Sequence, residues 1–128
     1  MLFRSPDESR VACVRRYTDP DKPKYRSEIW VVPTKEGKAR CFVKSEGSNY
    51  SPRWSPDGSL LAFLSDRSGA TSQIYLIPAD GGEAYPLTKF ETEGSISSIN
   101  WSPDGKHIAF LYRKKPEVWT KKIGRAHV

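Results

Sequence analysis

The sequence predicts an all-β chain folded as a partial β-propeller of about two and a half four-stranded antiparallel blades, and three observations predict it. One tripeptide recurs, as Ser5-Pro6-Asp7, Ser55-Pro56-Asp57 and Ser102-Pro103-Asp104, at spacings of 50 and 47 residues. An apolar run follows each copy: Val11-Ala12-Cys13-Val14, Leu61-Ala62-Phe63-Leu64 and Ile108-Ala109-Phe110-Leu111. A second run follows the first, as Glu28-Ile29-Trp30-Val31-Val32-Pro33, Gln73-Ile74-Tyr75-Leu76-Ile77-Pro78 and Glu117-Val118-Trp119. Four short strands in each period of about 40 to 50 residues mark a propeller blade.

The middle copy, Pro52 to Thr88, is the complete one. Ser55-Pro56-Asp57-Gly58 places proline where a type I turn wants its fixed φ and glycine where a positive φ closes a hairpin. Trp54 therefore ends one strand and Leu60 begins the next. Leu60 to Leu64 is apolar on both pleat faces, as in a strand covered on both sides. Ile74 to Ile77 reads as a third strand, Pro78 to Gly82 as a turn, and the more polar Glu83 to Thr88 as a fourth strand at a sheet edge.

Taken in order, residues 1–122 form one partial propeller, with blades at about 1–48, 49–94 and 95–122. The first copy has drifted: Arg4 stands where the others have Trp54 and Trp101, and Glu8 replaces the turn glycine. Its segment Arg15 to Ser27, with two prolines and many charges, reads as an exposed loop between the second and third strands. Lys35 to Lys38 reads as a turn, Ala39 to Lys44 as the outer strand and Ser45 to Tyr50 as the crossing to the second blade. Lys89 to Ser95 crosses to the third, whose innermost strand is Ile96 to Trp101. Residues 123–128, Ile-Gly-Arg-Ala-His-Val, are what a common sequencing-library adapter encodes, and are expected to be a non-native tail from read-through. Removing Arg125 from the 21 basic residues, against 15 acidic ones, leaves a net charge of +5.

Composition is that of a soluble globular protein, with 37% hydrophobic residues and a mean hydropathy of -0.64. No apolar run approaches the ~18 residues of a membrane span, and no signal peptide is visible after Met1, so no membrane partner and a cytoplasmic location are expected. Cys13 occupies the place of Phe63 and Phe110 and reads as a small buried core residue, while Cys13 and Cys41 form neither a disulfide framework nor a metal spacing. His107 reads as a solvent-facing strand residue.

Alternation gathers Arg15, Arg16, Lys22, Lys24, Arg26, Arg67, Arg113, Lys114 and Lys115 on one face. Asp19, Asp21 and Asp66 interrupt that set and no aromatics are regularly interleaved, so no nucleic-acid partner is expected. Asp7, Asp57 and Asp104 resemble a carboxylate array, but their place in identical turns gives them a structural role, accepting from neighbouring amides. Trp54 and Trp101 read as blade-packing residues. There is no G-x-S-x-G elbow, phosphate loop or usable base, so no catalytic, cofactor-binding or metal-binding residue is assigned and no cofactor is expected.

The string Trp54-Ser55-Pro56-Asp57-Gly58, the run after it, Ile74-Tyr75-Leu76, Asp80-Gly81-Gly82 and Leu87-Thr88 resemble the WD-like repeats of the Tol translocation propeller, tricorn-type proteases and the prolyl oligopeptidase family. The stretch Tyr25 to Pro33, followed by Ser51 to Gly58, is similar to the opening blades of acylaminoacyl-peptidase-like members of the last group. That resemblance implies an N-terminal propeller fragment of a serine peptidase. The propeller would gate substrate access to a C-terminal α/β-hydrolase domain that lies outside this chain and carries the serine, aspartate and histidine. Its partners would be that hydrolase domain and the peptide substrate passing the propeller. The alternative is a non-enzymatic, protein-binding propeller of the Tol type. Either way, two complete blades and part of a third leave an apolar face bare at each end, which predicts marginal stability and aggregation.

Overall fold

The computed structural model describes residues 2–69 and 71–116. Ten strands and no helix are found among them. Strands β1 (Leu2–Arg4), β2 (Arg10–Asp19), β3 (Lys22–Pro33) and β4 (Arg40–Val43) form one four-stranded sheet in sequence order. Strands β5 (Asn49–Trp54), β6 (Leu60–Ser65), β7 (Gln73–Pro78) and β8 (Tyr85–Pro86) form a second in the same order, and β9 (Gly94–Trp101) pairs with β10 (Ile108–Lys114). Every pairing is antiparallel. The third-strand motif Glu117-Val118-Trp119 and the tail 123–128 lie outside the described residues.

The repeated turn explains the repeat. Asp57 Oδ1 accepts from Ser55 Oγ at 2.7 Å, Ser59 N at 3.0 Å and Ser59 Oγ at 2.7 Å, while Ser55 Oγ accepts from Leu60 N at 3.0 Å. Asp7 makes the equivalent bonds to Ser5 and Ser9, and Asp104 those to Ser102 and Lys106 N. The fourth turn position is left-handed in all three copies, with φ of 76° at Gly58, 73° at Gly105 and 61° at Glu8. Glutamate there carries a Cβ into a region that costs an L-residue roughly 1–2 kcal/mol.

Stacking the sheets makes the core, and the period of two along β6 and β7 assigns each side chain to a neighbour. Leu61, Phe63, Tyr75 and Ile77 face the first blade and pack with Ala12, Ile29, Val31 and Val43. Ala62, Leu64, Ile74 and Leu76 face the third blade and pack with Ile96 and Ile99. The middle blade is thus buried on both faces, each large side chain contributing about 1.5–3 kcal/mol. Outer faces are different: Leu2 is 71% exposed on the first blade and Leu111 64% exposed on the third.

The two tryptophans staple the blades, as their packing role predicts. Trp54 Nε1 donates to the carbonyl of Phe3 at 2.9 Å, and Trp101 Nε1 to the carbonyl of Arg53 at 3.0 Å. Each indole thereby reaches the residue just before the matching position of the preceding blade. A bulge precedes each tryptophan, with Ser51 and Pro52 opposite Phe63 and Ser98 and Ile99 opposite Phe110. Ser51 and Ser98 take φ of 54° and 55° there. The extra residue turns the strand so that Pro52 and Ile99 are buried.

Three expectations need correction. Arg15 to Ser27 is not a loop: β2 and β3 run on as a ladder, with Arg16 opposite Ser27, Tyr17 opposite Arg26 and Thr18 opposite Tyr25. Tyrosine and threonine favour the pleated surface, Pro20 lies in the tip, and the register slips around Pro23 and Lys24, where a missing N–H breaks no ladder bond. Cys13 is only half-buried, because it pairs in register with Leu2 and Trp30 on the open face of the first blade. The outer strand of the second blade is two residues, Tyr85–Pro86, instead of Glu83 to Thr88, although Leu87 N still reaches the Ile74 carbonyl at 2.7 Å.

Candidate functional site

Chemically distinctive side chains gather at one rim, where the β2–β3 hairpin, the β6–β7 loop, the end of β10 and the crossings between blades meet. The three aspartates are at the other end. Hydrogen bonds from Ser9, then Ser5, hold Asp7 at about 2, and those from Ser59 and Ser55 hold Asp57 at about 2. Asp104 is also lowered, first by Ser102. Each accepts through Oδ1 within its own turn, as expected of a structural group.

At the rim a polar clamp locks the first two blades. Asn49, fully buried, donates its backbone N–H to Ser27 Oγ at 2.8 Å, while its Nδ2 donates to the Ser27 carbonyl at 3.0 Å and to Ser45 Oγ at 3.0 Å. Ser27 Oγ donates to the Asn49 carbonyl at 2.7 Å. Arg67 completes the clamp, with Nη2 on Asn49 Oδ1 at 3.0 Å, Nε on Ser65 Oγ at 3.0 Å and its guanidinium 4.7 Å from the Tyr75 ring centre. Gln73 closes the other junction through the Phe90 backbone and Thr88.

The basic residues on this rim divide by partner. Arg26 meets Glu46 at 3.2 Å, Lys115 meets Glu93 at 2.9 Å and Arg15 meets the buried Glu28 at 3.8 Å. Arg16, Arg113 and Lys114 have no ion pair or side-chain hydrogen bond among the described residues. Lys22 and Lys24 belong to β3 by their backbone. Two clefts open between these groups. One, of about 550 Å³, is bounded by Arg16, Tyr25, Arg26, Ser27, Ser48 and Tyr50. The other, of about 490 Å³, is bounded by Thr71, Glu93, Gly94, Arg113 and Lys114.

Among the described residues of the rim, no nucleophile is set beside a base. His107 is exposed beside the Ser102 turn, and no group of three or more His, Cys, Asp or Glu suited to a metal occurs among the described residues. Desolvation, then the Glu28 charge, push the Cys41 thiol up, away from reactive thiolate. Sequence reasoning missed the Ser27–Asn49 clamp and the cleft. The clamp carries no repeat signature, since Ile96 takes the place of Asn49 in the third blade, whereas the alternation of Tyr17 and Tyr25 with charged neighbours was a readable strand signal.

With this geometry in view, residues 3–127 match the TolB beta propeller domain family. The chain belongs to the TolB beta propeller domain family. Similar proteins include peptidases and TolB proteins. The chain is 43% identical over 84 residues to the peptidase YuxL of Bacillus subtilis, a match covering 66% of this chain and 13% of YuxL. The acylaminoacyl peptidase of Pyrococcus horikoshii superposes with a TM-score of 0.66 at 22% identity, over 84% of this chain and 16% of that one. TolB of Acinetobacter baumannii superposes with a TM-score of 0.68 at 25% identity, over 91% of this chain and 27% of that one. The fold alone therefore does not separate the groups. The TolB-type domain described here spans 13% of the length of its peptidase relative.

Proposed function

We propose that this segment is the propeller part of a cytoplasmic serine peptidase of the prolyl oligopeptidase type, and that it gates access of peptides to an α/β-hydrolase domain in the same polypeptide. The identity of 43% over 84 residues to a peptidase is the observation that carries this reading. In this role a stack of blades selects by excluding bulk, since sheets buried on both faces resist deformation.

A second reading is a non-enzymatic propeller that binds a protein partner on its rim, and it draws on the likeness to TolB. Sequencing the parent gene onward from codon 122 discriminates between them. The peptidase reading expects a G-x-S-x-G motif downstream, with later aspartate and histidine, and covalent labelling of the expressed parent by a fluorophosphonate. A reading frame that ends soon after the last blade, with no labelling, would overturn it and leave the binding propeller.

A further inference from the structure

We infer that the cleft between the β2–β3 hairpin and the second blade is a binding site for the carboxylate of a peptide, with Arg16 as the group that fixes it. The register places Arg16 opposite Ser27, whose hydroxyl is already engaged by Asn49 of the second blade, so both belong to the side facing that blade. Ala12 lies on the same alternation and is packed into the junction core. Arg16 continues that row past the end of the apolar contact, where the hairpin overhangs the cleft.

Three features of the cleft define its ligand. Arg16 is an exposed guanidinium without an ion pair or side-chain hydrogen bond among the described residues, and its planar fork suits a carboxylate. The second guanidinium, Arg26, is bound by Glu46 at 3.2 Å and stands in register with Tyr17 on the other face of the hairpin, so Arg16 is the guanidinium presented on the cleft side. A single guanidinium fork matches a singly ionised carboxylate better than a doubly charged phosphate. The walls are a ring and hydroxyls: Tyr25 is 78% exposed at the mouth, and Thr18, its partner in register, and Ser48 lie beside it. Such walls offer ring faces to side chains and polar groups to peptide amides. A volume of about 550 Å³ is far larger than a carboxylate alone and falls within the ~300–1,000 Å³ of small-ligand sites.

The choice of a peptide as bearer rests on the gating reading; the carboxylate chemistry does not. The test is titration of the full chain, shown folded by circular dichroism, with the pentapeptide acetyl-Ala-Ala-Phe-Ala-Ala as free acid, as C-terminal amide, and with free phenyl phosphate as a third probe. The expected result is saturable binding of the acid, weaker by at least about tenfold for the amide and for the chain carrying Arg16→Gln, with Lys114→Gln unchanged. Equal binding of acid and amide, undiminished binding by Arg16→Gln, preference for phenyl phosphate, or no saturable binding of the acid overturns the inference. These outcomes leave the downstream-nucleophile test untouched, so failure of the cleft and failure of the peptidase reading are distinguishable.

Discussion

The first and second blades are copies of one unit, and they differ at the positions that face the rest of a ring. The second blade carries Trp54 at the end of its inner strand and Gly58 in its turn, and both of its faces are covered. The first blade carries Arg4 and Glu8 at those places, joined by an exposed ion pair at 3.7 Å, and one of its faces is open to Leu2, Cys13 and Trp30. The difference teaches that the apolar stripe of a strand is kept by whichever neighbour it meets, while the turn tolerates a strained residue so long as the aspartate ladder holds it.

The comparison breaks most visibly at Phe63, fully buried and stacked on Tyr75 with ring centres 5.9 Å apart. Phe63→Ala is expected to cost about 3–5 kcal/mol, more than the chain is expected to spare, whereas Cys13→Ala at the matching place of the first blade should cost under about 1 kcal/mol. Urea denaturation followed by far-ultraviolet circular dichroism reads both, and equal costs would contradict the assignment of open and closed faces.

Trp54→Phe keeps an aromatic ring and removes the bond to the Phe3 carbonyl, so a loss of about 1–3 kcal/mol is expected in the same assay. Arg4→Trp, with no preceding carbonyl among the described residues to reach, should leave the midpoint nearly unchanged.

The turns sharpen the contrast more gently. Glu8→Gly relieves the left-handed backbone and should stabilise by about 0.5–1 kcal/mol, the gain being reduced by the greater freedom of glycine when unfolded. Gly58→Glu should destabilise by about 1–2 kcal/mol from its φ alone, since a Cβ there meets only Pro6 Cδ at 3.7 Å. A melting curve that moved the same way for both would refute the shared geometry.

Acid gives the smallest effect. Asp7 and Asp57 are held at about 2, below the ordinary 3.8, so their bonds stabilise the fold fully above roughly pH 4 and lose that contribution as pH falls toward 2. Asp57→Asn should flatten the stability profile across that window and leave its shape above pH 5 unaltered; an unchanged acid limb would remove Asp57 from the account.

Much of this architecture was legible in the residues because each blade repeats a local rule. Proline and glycine announce the turn, the aspartate locks it, and a run apolar on both faces announces a strand with neighbours on both sides. In the hairpin of the first blade, charge and proline content outweigh the alternation of tyrosine and threonine and predict a loop, while the long ladder hides its proline in a register slip. The bulges at Ser51 and Ser98 leave little trace in the residues for another reason: serine bears no mark of a positive φ, and proline, which strands admit at edges and bulges, stands at the first bulge alone. The rim cleft depends on which side of a strand Arg16 takes, which is set by a register that sequence spacing did not reveal.

The tryptophan staples give the chain its own optical gauges. Trp54 senses the junction of the first and second blades, Trp101 that of the second and third, and Trp30 lies half-buried on the face that no described blade covers. An indole packed in an apolar seam emits at shorter wavelength than one met by water. Single-tryptophan variants of this chain would therefore report, by colour alone, which seam parts first as it unfolds and whether the outer face finds a neighbour.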